Sequence, residues 1–163
     1  MGTEFSSQLN LLADVAIALG LGGLLGFERE WKQKPAGLRT NMIIAGASAL
    51  FIGLGRVGVV DYIPLASEDS FGIDPTRILH AVIVGVGFLG AGTILKSSEH
   101  TRVHYLTTSA TIWMSSALGI AVGLHQYLLA AGVTLILIAI NFIFSYINRV
   151  ISKVSNYSPK RNE

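Results

Sequence analysis

The sequence predicts an all-α fold: a polytopic integral membrane helix bundle of five transmembrane helices. Composition, block length and the placement of charge carry that reading. Apolar residues make up 51% of the 163 residues and charged residues only 13%, where a soluble domain usually carries about 25%. The apolar residues fall in long blocks near the ~20 residues that a bilayer crossing needs, and they do not alternate with polar ones. The pI of 9.0 and net charge of +2 do not make a nucleic-acid signature, because the basic residues flank apolar spans instead of forming a patch.

The spans follow in order. Residues 1–8 are read as a tail whose start, MGTEF, has the look of a vector-derived scar. The first span runs from about Leu9 to Phe27; without a basic segment or small-residue cleavage site before it, it is expected to be retained and not to act as a signal peptide. The second runs from about Thr40 to Val60, and the third from about Pro75 to Leu95, where "GIDPTRILH" offers Asp74 as N-cap and Pro75 as first helical residue. The fourth runs from about Thr107 to Leu124, with Thr107 or Thr108 as cap, and the fifth from about Gln126 to Asn148. Only His125 and its neighbours separate the last two, which implies a tight antiparallel hairpin. Residues 9–148 thus form the membrane domain, and 149–163 a short basic tail.

Charge sets the expected orientation. Arg29, Lys32, Lys34, Arg39, Lys96, Arg102, Arg149, Lys153, Lys160 and Arg161 fall on one side, ten of the 12 basic residues, and only Arg56 and Arg77 on the other. The positive-inside rule then places the N-terminus outside and the C-terminus in the cytoplasm. Trp31, Tyr105 and Tyr146 near the inner interface and Tyr62 and Tyr127 near the outer one agree with this.

One segment invites a different function. Gly85-Val86-Gly87-Phe88-Leu89-Gly90 spells the G-x-G-x-x-G of dinucleotide sites. That motif needs a strand before it and a helix after it, whereas here apolar residues continue on both sides with no turn between. Glu99 lies too close to serve as the ribose-binding acid. In a membrane helix glycine permits close packing, since helices in lipid associate through dispersion and close backbone approach. Gly22 and Gly26 in span one and Gly119 and Gly123 in span four form small-xxx-small pairs with the same meaning. Gly85, Gly87, Gly90 and Gly92 suggest that span three is central.

The polar residues define the candidate sites. Glu28, Arg29 and Glu30 end span one, and Arg39, Thr40 and Asn41 open span two. Glu28 and Glu30 can pair at i,i+4 with Lys32 and Lys34. Because Glu28 adjoins the apolar span, Arg29 or Arg39 could also be its partner, in a structural ion pair or in a functional site. Asp14 lies inside span one, and Arg56, at comparable depth in span two, is its expected counter-ion. Asp61, Glu68, Asp69 and Asp74 make one loop acidic, which reads as a cation-concentrating surface more than as a metal motif. His80 reads as a hydrogen-bonded core histidine. His100 and His104 are a weak metal signal. Trp113 needs a partner for its N–H, and Thr107, Thr108, Thr111 and Asn141 can hydrogen-bond between helices. Cysteine is absent, so thiolate metal sites and disulfides are excluded. No catalytic constellation and no need for a cofactor emerge.

Taken together, "GLLGFEREWKQKPAGLRTN", "DPTRI", "VGVGFLGAGTIL" and "LTTSATIW" resemble the membrane domain of the MgtC/SapB family, from about Leu9 to Asn148. The resemblance implies a multi-pass protein of the bacterial inner membrane, linked to adaptation to low magnesium, virulence and survival in macrophages. For some members it implies inhibition of the F-type ATP synthase, and for others Mg2+ transport. Its motif positions here are Gly26, Glu28, Arg29, Gly37, Leu38, Arg39, Thr40, Arg77, the Gly85–Gly92 run, Leu106, Thr108, Thr111 and Trp113. Tyr105 stands where the family usually has glycine, and the ACT-like C-terminal domain of many members is missing, as in a short or truncated member. A regulator binding other membrane proteins, an ion transporter or channel, and an assembly subunit forming a homodimer are the three functional readings, the first favoured.

Overall fold

The computed structural model describes residues 2–62, 76–95 and 105–155. They form five helices: α1 (Gly2–Trp31), α2 (Leu38–Tyr62), α3 (Thr76–Leu95), α4 (Leu106–Gly123) and α5 (Tyr127–Ser155). Each is long and apolar enough to cross a membrane. Helix α1 continues back through the expected N-terminal tail, and α5 runs on past Asn148. Asp74 and Pro75, the acidic loop residues Glu68 and Asp69, and the loop with Glu99, His100, Arg102 and His104 lie outside the described residues.

Three helices, α1, α2 and α4, make the core, with α3 laid against α4 and α5 against α4 and α1. The reason lies in three stripes of small residues with helical spacing. On α1, Asp14, Ala18, Gly22, Gly26 and Arg29 are buried; on α2, Asn41, Ala45, Ser48, Ala49 and Ile52; on α4, Thr108, Ser115, Gly119, Val122 and Gly123. Lipid tails are as apolar as leucine, so burying bulk earns helices little, and contact favours faces that let backbones approach. A Cβ on Gly22 would meet the Asn41 carbonyl oxygen, and one on Gly119 the Ala45 carbonyl oxygen. Gly26 and Gly123 face the backbone at Gly37 and Ala49 in the same way.

The centrality expected of the third span belongs instead to α4. Half of the membrane window of α4 is buried, against 11% for α3. Gly85, Gly87 and Gly92 are exposed, with open space where a side chain would be; Gly90 alone of that run meets a neighbour, the side chain of Ser109. Counting glycines cannot distinguish these faces. What marks α4 is glycine interleaved with serine and threonine, which fill the crossing and hydrogen-bond across it. His80 is exposed on α3, not a core residue.

Turn chemistry sets the ends. After α1, Gln33 adopts φ 51° and Ala36 φ 56°, with Lys34 N–H returned to the Arg29 carbonyl at 2.9 Å. After α4, His125 has φ 60°, and Gln126 N–H returns to Ala121 O at 2.8 Å, closing the tight hairpin into α5. Helix α4 starts without a side-chain cap, so neither Thr107 nor Thr108 takes that role; Tyr105 precedes it at φ 68°. That left-handed geometry is the kind that glycine adopts freely and bulky residues adopt at a cost of about 1–2 kcal/mol. Tyr105→Gly is therefore expected to keep or raise the thermal midpoint, and Tyr105→Val to lower it, in scans of the purified protein.

Candidate functional site

Polar side chains thread the α1/α2/α4 core from end to end. At one end Asp14 is 1% exposed and collects three donors. Tyr127 Oη donates to its Oδ1 at 2.6 Å, His125 Nε2 lies 3.1 Å from Oδ2, and Arg56 Nη2 lies 3.7 Å from Oδ2. Arg56 Nη1 also donates to the Gly123 carbonyl at 3.1 Å, and the His125 and Tyr127 rings stack at 5.7 Å. The Asp14–Arg56 pair is thus present, and it is the centre of a larger cluster joining α1, α2 and the α4–α5 hairpin. Sequence reasoning missed His125 and Tyr127 because the left-handed turn at His125 is what swings both toward Asp14.

In the middle of the core, Ser115 Oγ donates to Asn41 Oδ1 at 2.7 Å, and the Ser48 and Ser116 hydroxyls share a hydrogen bond of 2.8 Å. Asn41 Nδ2 donates to the Ala36 and Gly37 carbonyls at 2.7 and 2.8 Å, fixing the α1–α2 turn to α2. Buried polar groups that satisfy one another in this way hold helices in register. The i,i+4 recurrence of Ser115, Gly119 and Gly123 is the signal that could have found this seam.

At the far end the expected pairings are redistributed. Glu28 forms its ion pair with Lys32, one turn on, and accepts from Asn141 Nδ2 of α5 at 3.2 Å; neither Arg29 nor Arg39 is its salt-bridge partner. The i,i+4 geometry beats a longer reach around the turn. Arg29 turns into the core and donates through Nη2 to Thr108 Oγ1 at 2.8 Å. Glu30 faces the start of α2, where its Oε2 accepts the Leu38 N–H at 3.0 Å, an anion on a helix N-terminus, in place of pairing with Lys34. Arg39 is exposed and Thr40 half-buried. Thr111 bonds back to the Thr107 carbonyl of its own helix at 2.8 Å, not across to a neighbour. Trp113 is half-exposed on α4, lining the space between α3 and α4.

Two apolar clefts flank the core. One of about 760 Å3 lies among α1, α3, α4 and α5, lined by Leu25, Ile94, Thr107, Met114, Leu137 and Asn141 among others. Another of about 790 Å3 separates α2 from α3, with Arg77 on its wall. Among the described residues no group of three or more acidic or histidine side chains could hold a metal ion.

Comparison with known proteins covers most of the bundle, from within α1 to within α5. The model of the MgtC family matches residues 15–150. "Protein MgtC" of Salmonella typhimurium (strain 14028s) is 39% identical over 139 residues, 85% of this chain and 52% of that protein. "Putative magnesium transporter YhiD" of Escherichia coli (strain K12) is 40% identical over 127 residues, 78% of this chain and 54% of that one. "Protein MgtC" of Brucella abortus (strain 2308) is 41% identical over 129 residues, 79% and 49% respectively. The chain spans about half the length of the curated relatives it matches. No solved structure gives a significant match.

Proposed function

The chain belongs to the MgtC family of membrane proteins, and from that premise we propose that it is a non-enzymatic, magnesium-related regulator of the bacterial inner membrane. In this reading it acts by contact with other membrane proteins. The single observation that supports contact over transport is the contrast between its core and its rim. The α1/α2/α4 crossings bring glycine against backbone carbonyls, and in the middle of the core Ser48 pairs with Ser116 and Asn41 with Ser115. Helix α3, by contrast, leaves Gly85, Gly87 and Gly92 with no neighbour and Val84 and Phe88 exposed, Gly87 facing the 760 Å3 cleft and Gly85 the 790 Å3 one. Small residues on a lipid-facing helix leave space into which a partner helix fits. The N-terminus-out orientation follows from the basic loops, and the F-type ATP synthase is the partner that the family resemblance implies for some members.

Transport is the competing reading, favoured by Asp14 and Glu28 near membrane depth. The two separate in proteoliposomes loaded with a Mg2+ indicator. Purified protein is expected to give no flux above that of protein-free liposomes, with Glu28→Gln indistinguishable from wild type. Flux that requires Glu28 would make the protein a transporter and put the Glu28–Lys32 end on its path.

A further inference from the structure

The Glu28 end of the core holds one cation whose needs the described contacts leave unmet. Arg29 is 6% exposed. Its Nη2 reaches only the neutral hydroxyl of Thr108, and its Nε is buried without a hydrogen-bond partner. The neighbouring Glu28 carboxylate is engaged by Lys32 and Asn141, and among the described residues no carboxylate forms an ion pair with Arg29. A guanidinium has five donors and no acceptor, and a buried cation without an anion is costly in any low-dielectric site.

Its position sharpens the problem. Thr108 belongs to the first turn of α4, which starts without a side-chain cap. Unpaired N–H groups and the helix dipole make such a start partly positive. A cation placed on it is repelled, whereas an anion beside the Arg29–Thr108 pair, reached by the unused guanidinium N–H groups and the Thr108 O–H, would satisfy both. The 760 Å3 cleft runs beside this point without reaching Arg29 or Thr108 themselves: Leu25, one turn before Arg29 on α1, and Thr107 and Thr111, on either side of Thr108 on α4, line it. Its volume is in the range of about 300–1,000 Å3 typical of small-molecule sites, and its further walls, Ile94, Met114 and Leu137, are apolar.

We propose that Arg29 and the first turn of α4 bind a phosphate group, with the guanidinium and the Thr108 hydroxyl as ligands. The phosphate has two sources: the headgroup of a phospholipid with an acyl chain in the cleft, or inorganic phosphate from the aqueous side. The inference stands whether the protein regulates or transports, because it rests on the Arg29 surroundings alone.

Thermal scans of delipidated protein in detergent decide it, with three additives: phosphatidylglycerol, a diacylglycerol of the same acyl chains, and inorganic phosphate. Phosphatidylglycerol is expected to raise the midpoint by several degrees while diacylglycerol does not, and Arg29→Gln to weaken the response at least tenfold in concentration. Stabilisation by inorganic phosphate alone, lost in Arg29→Gln, would support the site with the free anion as its ligand. Equal responses to phosphatidylglycerol and diacylglycerol, no response to either phosphate source, or an unchanged response in Arg29→Gln would each overturn it. If Arg29→Gln does not fold, phosphorus-31 NMR of the wild-type protein substitutes. A phosphatidylglycerol resonance shifted and broadened relative to empty micelles supports the site, and an unmoved one sinks it.

Discussion

Gly119→Ala is expected to cost about 3 kcal/mol, the upper end of the overpacking range, and to leave little monodisperse protein after detergent extraction. The added methyl would fall on the Ala45 carbonyl oxygen and on Ser48 Cβ. A backbone carbonyl inside a helix cannot rotate away, so relief requires α2 and α4 to separate. Separation would break the Ser48–Ser116 and Asn41–Ser115 hydrogen bonds in the same interface, each of which contributes on average about 0.6 kcal/mol in a membrane protein. The control is internal to the chain. Gly85→Ala, Gly87→Ala and Gly92→Ala meet nothing within 4 Å and are expected to extract and melt like wild type. A bulkier Gly92→Leu, outside both clefts, is expected to fold as well, yet to lose a partner docked on α3, which separates a folding role for glycine from a contact role. Equal extraction of Gly119→Ala and wild type would mean that α2 and α4 do not approach so closely.

That contrast also marks how far sequence reasoning reaches. Span number and approximate limits are legible because hydropathy over twenty residues is a property of composition alone. The Asp14–Arg56 pair is legible because two unlike charges at equal depth have few other ways to be accommodated. Which helix is central is not, since α3 and α4 are both rich in small residues and only the facing backbone decides which glycines are needed. Nor are the partners of Glu28 and Arg29. Adjacent residues on a helix point about 100° apart, so Glu28 faces Lys32 and α5 while Arg29 turns to α4, a split that a run of charges in the sequence conceals. His125 and Tyr127 were hidden for a third reason: two residues of a tight turn reach Asp14, more than a hundred positions away, only once the left-handed φ at His125 is known.

Arg56→Leu is expected to destabilise the protein by about 2–3 kcal/mol, at or below the low end for stripping one partner from a buried pair, because only the Asp14 partner is buried. The Asp14 side chain is 2% exposed, so water cannot replace the guanidinium, and the Tyr127 and His125 donors alone would remain. Asp14→Asn should cost less, about 1–2 kcal/mol. It keeps an oxygen for Tyr127, and the Arg56 side chain, 36% exposed, can turn toward solvent while holding the Gly123 carbonyl. The double variant should be less damaged than the sum of the two, because removing both charges leaves no orphan. Thermal midpoints and detergent-extracted yield of the four proteins measure this, with Tyr127→Phe as a probe of the 2.6 Å hydrogen bond independent of charge. A coupling of at least about 1 kcal/mol would identify the pair as the clamp that fastens α1 and α2 to the α4–α5 hairpin. Strict additivity would reassign the parts: Tyr127 and His125 would hold Asp14, and Arg56 would serve the Gly123 carbonyl at the end of α4.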